Sequence, residues 1–267
     1  MAFHYTKLDQ LSAAYGQIVL SPHLDDAALS LGGMLATQAA RGRPTLVLNI
    51  CTGRPDPQVP LSPFAAAMHE RWGLSATEVL ARRLAEDEAA FEILGIDSYQ
   101  IDQLDAIYRR PDAYYDNPTL FGPVAPADPL HANLVSHLRQ LYVRYPQAVI
   151  YAPLAVGTHV DHQITYAAAQ TLVAHGASVA FYEDFPYVAE DGALETRLEQ
   201  LGGAARFLAV PTSFDHSALA RKIAAIEAYA SQLGMLFGDA ETMRAAVTAF
   251  ATRHAPDAYL ERIWVAQ

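Results

Sequence analysis

The stretch Gln17-Ile18-Val19-Leu20-Ser21-Pro22-His23-Leu24-Asp25-Asp26 decides the fold. An apolar, strand-like run gives way within a few residues to a histidine and two aspartates, and a helical pattern begins at residue 26. The same order returns in mid-chain. There Ala148-Val149-Ile150-Tyr151-Ala152 is closely followed by Thr158-His159-Val160-Asp161-His162 and a second helix-like run. In a parallel α/β sheet such turns gather at the carboxyl edge of the strands, the usual place for catalytic groups. Two clusters far apart in sequence are therefore expected to converge.

Working outward, strand-like runs near 17–21, 45–51, 98–101, 148–152, 178–183 and 206–210 alternate with helical patterns near 26–41, 75–94, 131–145, 161–175, 215–233 and 239–253. This alternation predicts βαβ units and a mostly parallel sheet with helices on both faces. A last short strand, Arg262-Ile263-Trp264-Val265, is expected to close an edge of the sheet. Residues 52–74 hold four prolines, and residues 104–130 hold five along with Tyr108, Tyr114, Tyr115 and Phe121. Both segments break the alternation after strand ends on the edge that carries the two clusters. They are expected to form the walls of a substrate pocket, since long irregular loops in compact domains are often binding elements.

At 267 residues and 52% hydrophobic, the chain has enough apolar mass to bury the core of one domain spanning 1–267. A formal charge of −11, with no basic run, argues against a partner held by charge, whether nucleic acid or an anionic membrane. It suits a neutral or cationic small molecule better. The single cysteine, Cys51, excludes an internal disulfide framework and favours a reducing, cytoplasmic setting. It follows the run Leu46 to Ile50 and reads as a small buried hydrophobe. No apolar stretch approaches membrane-spanning length. The oligomeric state is left open by the sequence.

His23 and Asp26 are three apart, as are His159 and His162, so each pair can point both side chains at one spot across a turn entering a helix. Two imidazoles and a carboxylate with an open coordination position make a hydrolytic zinc site. The same donors also suit iron, cobalt or nickel. Capping of a helix start is the competing role for Asp25 and Asp26. Nucleophile-elbow, P-loop and dinucleotide-binding motifs are absent from the sequence.

His-x-Asp-Asp near the start and His-x-Asp-His after a mid-chain strand resemble the LmbE/PIG-L-like family of zinc-dependent N-acetylglucosaminyl deacetylases. The likeness extends to Arg83-x-x-Glu86-x-x-x-Ala90-x-x-x-Leu94-Gly95 and to Lys222 followed by Tyr229-Ala230-Ser231-Gln232. Leu24 stands where the family motif has proline, and Ala27 where it has glutamate. The resemblance implies that His23, Asp26 and His162 hold Zn2+, with Fe2+, Co2+ or Ni2+ as substitutes, and that Asp25 is the general base. It leaves His159 off the metal. As an imidazolium, His159 would stabilise an oxyanion or protonate the leaving nitrogen, with Asp161 holding its tautomer and charge.

Arg83 aligns with the family arginine and is expected to reach the substrate, against a salt bridge to Glu86 or Asp87. Asp105 takes the place of a sugar-binding carboxylate, in competition with Asp102, and Asp184 is expected to hydrogen-bond a sugar hydroxyl or amine. Together these imply a Rossmann-like α/β enzyme that removes the acetyl group from an N-acetylated amino sugar or glycoconjugate. The rivals are a metal phosphoesterase and a non-catalytic sugar-binding protein with structural zinc.

Overall fold

The computed structural model describes residues 2–73 and 75–267. Ile18, Val19 and Leu20 are buried, as are all residues of the run 45–49, the pattern of parallel strands covered on both faces. They lie in an eight-stranded sheet made of β1 (His4–Tyr5), β2 (Gln17–Ser21), β3 (Thr45–Asn49), β4 (Asp97–Gln100), β5 (Val149–Pro153), β6 (Val179–Tyr182), β7 (Phe207–Phe214) and β8 (Tyr259–Ala266). The strand order is β1-β4-β3-β2-β5-β6-β8-β7. Pairing is parallel from β1 through β6, and β8 runs antiparallel to both β6 and β7. The expected closing strand is therefore longer than residues 262–265 and sits inside the sheet, leaving β7 at the edge. The reason is topological: an antiparallel hairpin-like return needs no crossover, so the last strand can slip between β6 and β7.

The helices are α1 (Asp26–Ala40), α2 (Pro63–Trp72), α3 (Ala76–Leu94), α4 (Ala106–Arg109), α5 (Asn117–Leu120), α6 (Pro129–Arg144), α7 (Val160–Val173), α8 (Ala193–Gln200), α9 (His216–Ala228), α10 (Ala230–Leu236) and α11 (Ala240–Thr252). Among the described residues no helix is long and apolar enough to cross a membrane. The chain leaves β2 toward β3 in one direction and β5 toward β6 in the other. Right-handed crossovers then put the connecting helices on opposite faces. Accordingly α1 packs with α3 and α9, and α6 packs with α7. Gly33 permits the close approach of α1 to the sheet, since a Cβ there would lie 2.6 Å from the Phe214 ring.

Two other expectations change. The helix expected over 215–233 breaks at Tyr229, whose hydroxyl is held by Asp87 at 2.8 Å, so that α10 sets off separately. The proline-rich segment 52–74 contains α2, with Ser62 as its cap, Pro63 in its first turn and Gly73 as its left-handed stop. Those boundary residues are a legible helix signal; proline in the first turn opens a helix rather than breaking one.

Candidate metal centre and active site

β2 and β5 are neighbours in the sheet but their connections diverge, which makes the crevice beyond their carboxyl ends the switch point of the fold. Both clusters stand there. After β2, the Ser21 hydroxyl donates to the His23 carbonyl at 2.7 Å and accepts the Ala27 amide at 3.1 Å, closing a tight turn. The His23 amide donates to Asp26 Oδ2 at 2.8 Å. Asp25 stands at the N-cap position of α1 but makes no side-chain capping hydrogen bond, and its φ of 129° is a strained conformation of the kind that clusters at functional sites. Leu24 and Ala27, where the chain departs from the family motif, are both buried. After β5, Ala155, Gly157 and Thr158 all take positive φ, and His159 caps α7, with Asp161 and His162 in its first turn.

Three donor atoms then form a small triangle. His23 Nδ1 lies 3.5 Å from Asp26 Oδ2, His162 Nε2 lies 3.3 Å from the same oxygen, and the two nitrogens are 3.4 Å apart. Tetrahedral bonds of about 2.0–2.1 Å to an ion at the centre require edges of about 3.4 Å. The donor set therefore fits a small divalent metal. His159 also offers a nitrogen within 4.8 Å of those of His23 and His162, and the Cys51 sulfur and an Asp161 oxygen come as near to His23 and to each other. Burial together with the nearby Asp161 and Asp105 keeps the Cys51 thiol far from its thiolate form.

The outward nitrogens of both triangle histidines face carboxylates. His162 Nδ1 is 2.7 Å from Asp184 Oδ1, whose other oxygen accepts the Val156 amide at 3.0 Å. His23 Nε2 is 3.1 Å from Asp161 Oδ2 and 3.6 Å from Asp105 Oδ2. Such carboxylates fix the tautomer and orientation of a metal-binding imidazole. Asp184 is thus buried behind His162 rather than on the wall where a sugar hydroxyl was expected to meet it. Asp161 likewise does not face the ring of His159: its carboxylate is taken by His23, the Ala106 amide and Arg109. It is the Asp161 backbone amide, 3.2 Å away, that donates to His159 Nδ1 and leaves the proton of that ring on Nε2.

The electrostatics agree. Burial, the neighbouring charge on His23 and that on His162 push His159 well below the usual histidine range, which favours the neutral ring over the imidazolium expected from the sequence. Burial opposes charge on His23 and His162 as well. There it is overcome by hydrogen bonds and charge from Asp161, Asp26 and Asp184, which hold His23 well above the usual range and His162 at about 9. Asp26 stays far below the ordinary carboxylate range because the His162 and His23 partners outweigh burial. Burial lifts Asp25 to about 7, with Asp26 adding to it and Arg83 opposing.

A cavity of about 310 Å³ opens onto this cluster. Met68, Arg71 and Trp72 from the first proline-rich segment, and Asp105, Leu120 and Phe121 from the second, line it. Asp105, not Asp102, faces it. Arg83 lines it too, held by the Leu24 carbonyl at 2.9 Å and by Asp25 Oδ2 at 3.5 Å. Glu86 and Asp87 are engaged elsewhere, with Ser231 and Arg82 and with Asn49 and Tyr229. The sequence reading missed Arg109, because nothing in the pair Arg109-Arg110 marks which arginine turns inward. It also did not place Phe121 and Tyr187 beside His159 and His162.

A mostly parallel sheet with two histidines and a carboxylate gathered at its switch point defines an α/β protein with a candidate metal site. The profile of the PIG-L family, GlcNAc-PI de-N-acetylase, matches residues 18–173, more than half of the chain, and the chain belongs to that family. The chain is 29% identical to the 2'-N-acetylparomamine deacetylase of Streptomyces fradiae over 222 residues, covering 80% of this chain and 72% of that protein. It is 30% identical to the enzyme of the same description from Niallia circulans over 185 residues, 63% of this chain and 66% of that one. In structure it resembles a zinc-inhibited form of teicoplanin deacetylase, with a TM-score of 0.78, 29% identity, and coverage of 93% of this chain and 96% of that one. It also resembles the A40926 pseudoaglycone deacetylase, with a TM-score of 0.72, 29% identity, and coverage of 96% and 98%. The family resemblance drawn from the two motifs is thereby shown, as is the mostly parallel α/β fold.

Proposed function

We propose that this chain is a metal-dependent deacetylase that hydrolyses the acetamide of an N-acetylated amino sugar or glycoconjugate, with zinc as the metal. The observation that carries the reading is the triangle of His23 Nδ1, Asp26 Oδ2 and His162 Nε2, whose edges of 3.3 to 3.5 Å suit one tetrahedral ion. When bound, a divalent ion supplies Lewis acidity that makes water nucleophilic near neutral pH. Asp25 accepts the proton of the attacking water, a role that its carboxyl, lifted to about 7, fits at neutral pH. His159 donates from Nε2 to the oxygen on which negative charge develops. Arg83 holds Asp25 and the Leu24 carbonyl from the cavity side. Asp161 and Asp184 orient the ligand histidines.

The cavity narrows the substrate. Apart from the acidic cluster and Asp105 its polar lining is Arg71, Arg83, Asn117 and Gln232, while Trp72, Phe121, Phe185, Tyr187, Met235 and Leu236 make it largely apolar. That lining suits an amino sugar joined to an apolar group better than a polycation. The teicoplanin deacetylase structures include one in complex with teicoplanin. The lone cysteine is buried and free, in keeping with action in the cytoplasm.

The test is a screen of metal-depleted and reloaded protein with Zn2+, Co2+, Fe2+ and Ni2+. Free amine and acetate are measured from N-acetylglucosamine, its aryl and alkyl glycosides and N-acetylparomamine, and phosphate from phosphomonoesters. Equimolar acetate and amine from the glycosides is the expected result. Phosphate release without acetate would favour the phosphoesterase, and binding without either product a sugar-binding protein.

A further inference from the structure

The two triangle histidines are supported in different ways. Behind His162, Asp184 is held by the backbone amide of Val156, which belongs to the turn after β5 that leads into the same helix. Behind His23, Asp161 is held by a side chain from a distant segment. Arg109 Nη2 donates to Asp161 Oδ1 at 2.6 Å, while its Nε and Nη2 span the two oxygens of Asp128 at 2.8 and 3.0 Å. Its Nη1 donates to the Leu104 carbonyl at 2.6 Å, and the Tyr114 hydroxyl closes the chain onto Asp128 at 2.8 Å. The Arg109 side chain is 5% exposed, and those of Asp161 and Asp128 are 0% and 1% exposed.

We infer that Arg109 is a positioning residue for the metal centre: by fixing the Asp161 carboxylate it keeps His23 Nε2 engaged and turns His23 Nδ1 toward Asp26 and His162. A planar guanidinium with five donors can clamp two carboxylates and a carbonyl at once, which an ammonium cannot do. Without the clamp, Asp161 would lose its charge-assisted arginine donor, and its remaining ties among the described residues would be the Cys51 thiol, a weak donor, and the Ala106 amide at 3.1 Å to the oxygen that also serves His23. The imidazole of His23 would then lose the support that defines its orientation. Residues 104–130 carry Arg109, Asp128 and Tyr114, and also Asp105 and Phe121 of the cavity wall. The same segment that shapes the substrate wall thereby sets the metal ligand, so the wall cannot shift without loosening the metal.

This inference rests on the metal reading above, and the experiment separates the two. Full-length parent, Arg109→Gln, Arg109→Lys and Arg110→Gln are stripped of metal. Zinc affinity is then measured by competition with a chromophoric chelator, the visible spectrum is recorded with cobalt(II), and the melting of each metal-free protein is followed by circular dichroism. Lysine keeps the buried positive charge, so that variant folds even if the glutamine variant does not. Loss of an outer partner of a metal-binding histidine costs roughly 10- to 100-fold in affinity, and that loss is expected in both Arg109 variants. Altered cobalt bands are expected with it. Arg110, whose side chain bonds the exposed Asp112 and the Pro126 carbonyl, serves as control and should bind zinc as the parent does. A cooperatively folded Arg109 variant with parental zinc affinity and an unchanged cobalt spectrum overturns the inference alone. A parent that binds neither zinc nor cobalt overturns the metal reading, and this inference with it.

Discussion

Helix α1 touches two buried ionic clusters that are built on opposite plans. Near its middle, Lys222 Nζ meets Glu261 Oε1 at 2.8 Å, and the Gly33 and Met34 amides donate to the same carboxylate at 2.9 and 2.7 Å. One cation meets one anion, both are sealed from solvent, and the carboxylate accepts three donors. At the start of the helix, five aspartates (Asp25, Asp26, Asp105, Asp161 and Asp184) gather about His23 and His162, with Arg83 and Arg109 as the nearby arginines, and the group opens onto a cavity. The closed cluster is balanced and asks for nothing more. The open one has carboxylates in excess, and their hydrogen bonds and charge hold His23 and His162 above the usual histidine range. Excess charge of one sign, buried and facing a cavity, is the mark of a site that expects a cation from outside.

This contrast can be broken in four ways. The largest effect is expected from His162→Ala, which removes a corner of the triangle: stoichiometric zinc should be lost on dialysis and turnover with it. Zinc retained at one per chain, measured by metal analysis, would refute the ligand assignment. Next, Asp25→Asn should keep the metal while kcat falls by about 10² to 10⁴, on the order of 3–5 kcal/mol of barrier, since the amide cannot take a proton. A near-normal kcat would remove Asp25 from that role.

The closed cluster should answer in stability instead. Lys222→Met strands a buried carboxylate and should cost about 3–5 kcal/mol in denaturant unfolding, with zinc affinity of the folded protein unchanged. The double variant Lys222→Met/Glu261→Gln should recover part of the loss. A single variant as stable as the parent would show that the pair is not the closed unit described.

The smallest effect sharpens the comparison with a third acid, Asp87, which is fully buried between Asn49 and Tyr229. Burial lifts its carboxyl to about 7, against the hydrogen bonds from Tyr229 and Asn49. An unfolded aspartate titrates near 4, so the contribution of the protonated acid is full below about pH 4 and lost as the pH rises through about 7. Asp87→Asn should flatten the decline of Tm between about pH 4 and 8 by a few degrees. An unaltered pH slope would contradict it.

The parts of the fold that could be read from sequence were those in which local pattern and tertiary burial agree. Val19 and Leu20 in β2, or Ile150 and Ala152 in β5, lie in strands covered on both faces, so an unbroken apolar run was a sufficient signal. Pro63 misled because it was taken as a mark of irregular chain when it opened α2. The break at Tyr229 depends on a hydrogen bond to Asp87, a residue of another helix, and no window around 229 contains it. The inner place of β8 was invisible for a like reason: Trp264 pairs with Phe181 on one side and Ala209 on the other, both far away in sequence.

By itself, the sequence determined the alternating α/β order and the family, and it singled out His23, Asp25, Asp26, His159 and His162 as the residues to watch, because a strand, a turn and a helix cap are short-range affairs and these residues lie within them. Only the tertiary structure decided which nitrogen of each histidine faces the triangle, that Asp184 and Asp161 stand behind His162 and His23, that His159 lies where burial opposes its charge, and that Arg109 reaches the cluster at all. Those facts depend on β2 lying beside β5 and on residues 104–130 folding back over the crevice. A hydrogen bond of 2.6 to 3.1 Å is set by atoms brought together from distant segments, and neighbours along the chain carry no record of it.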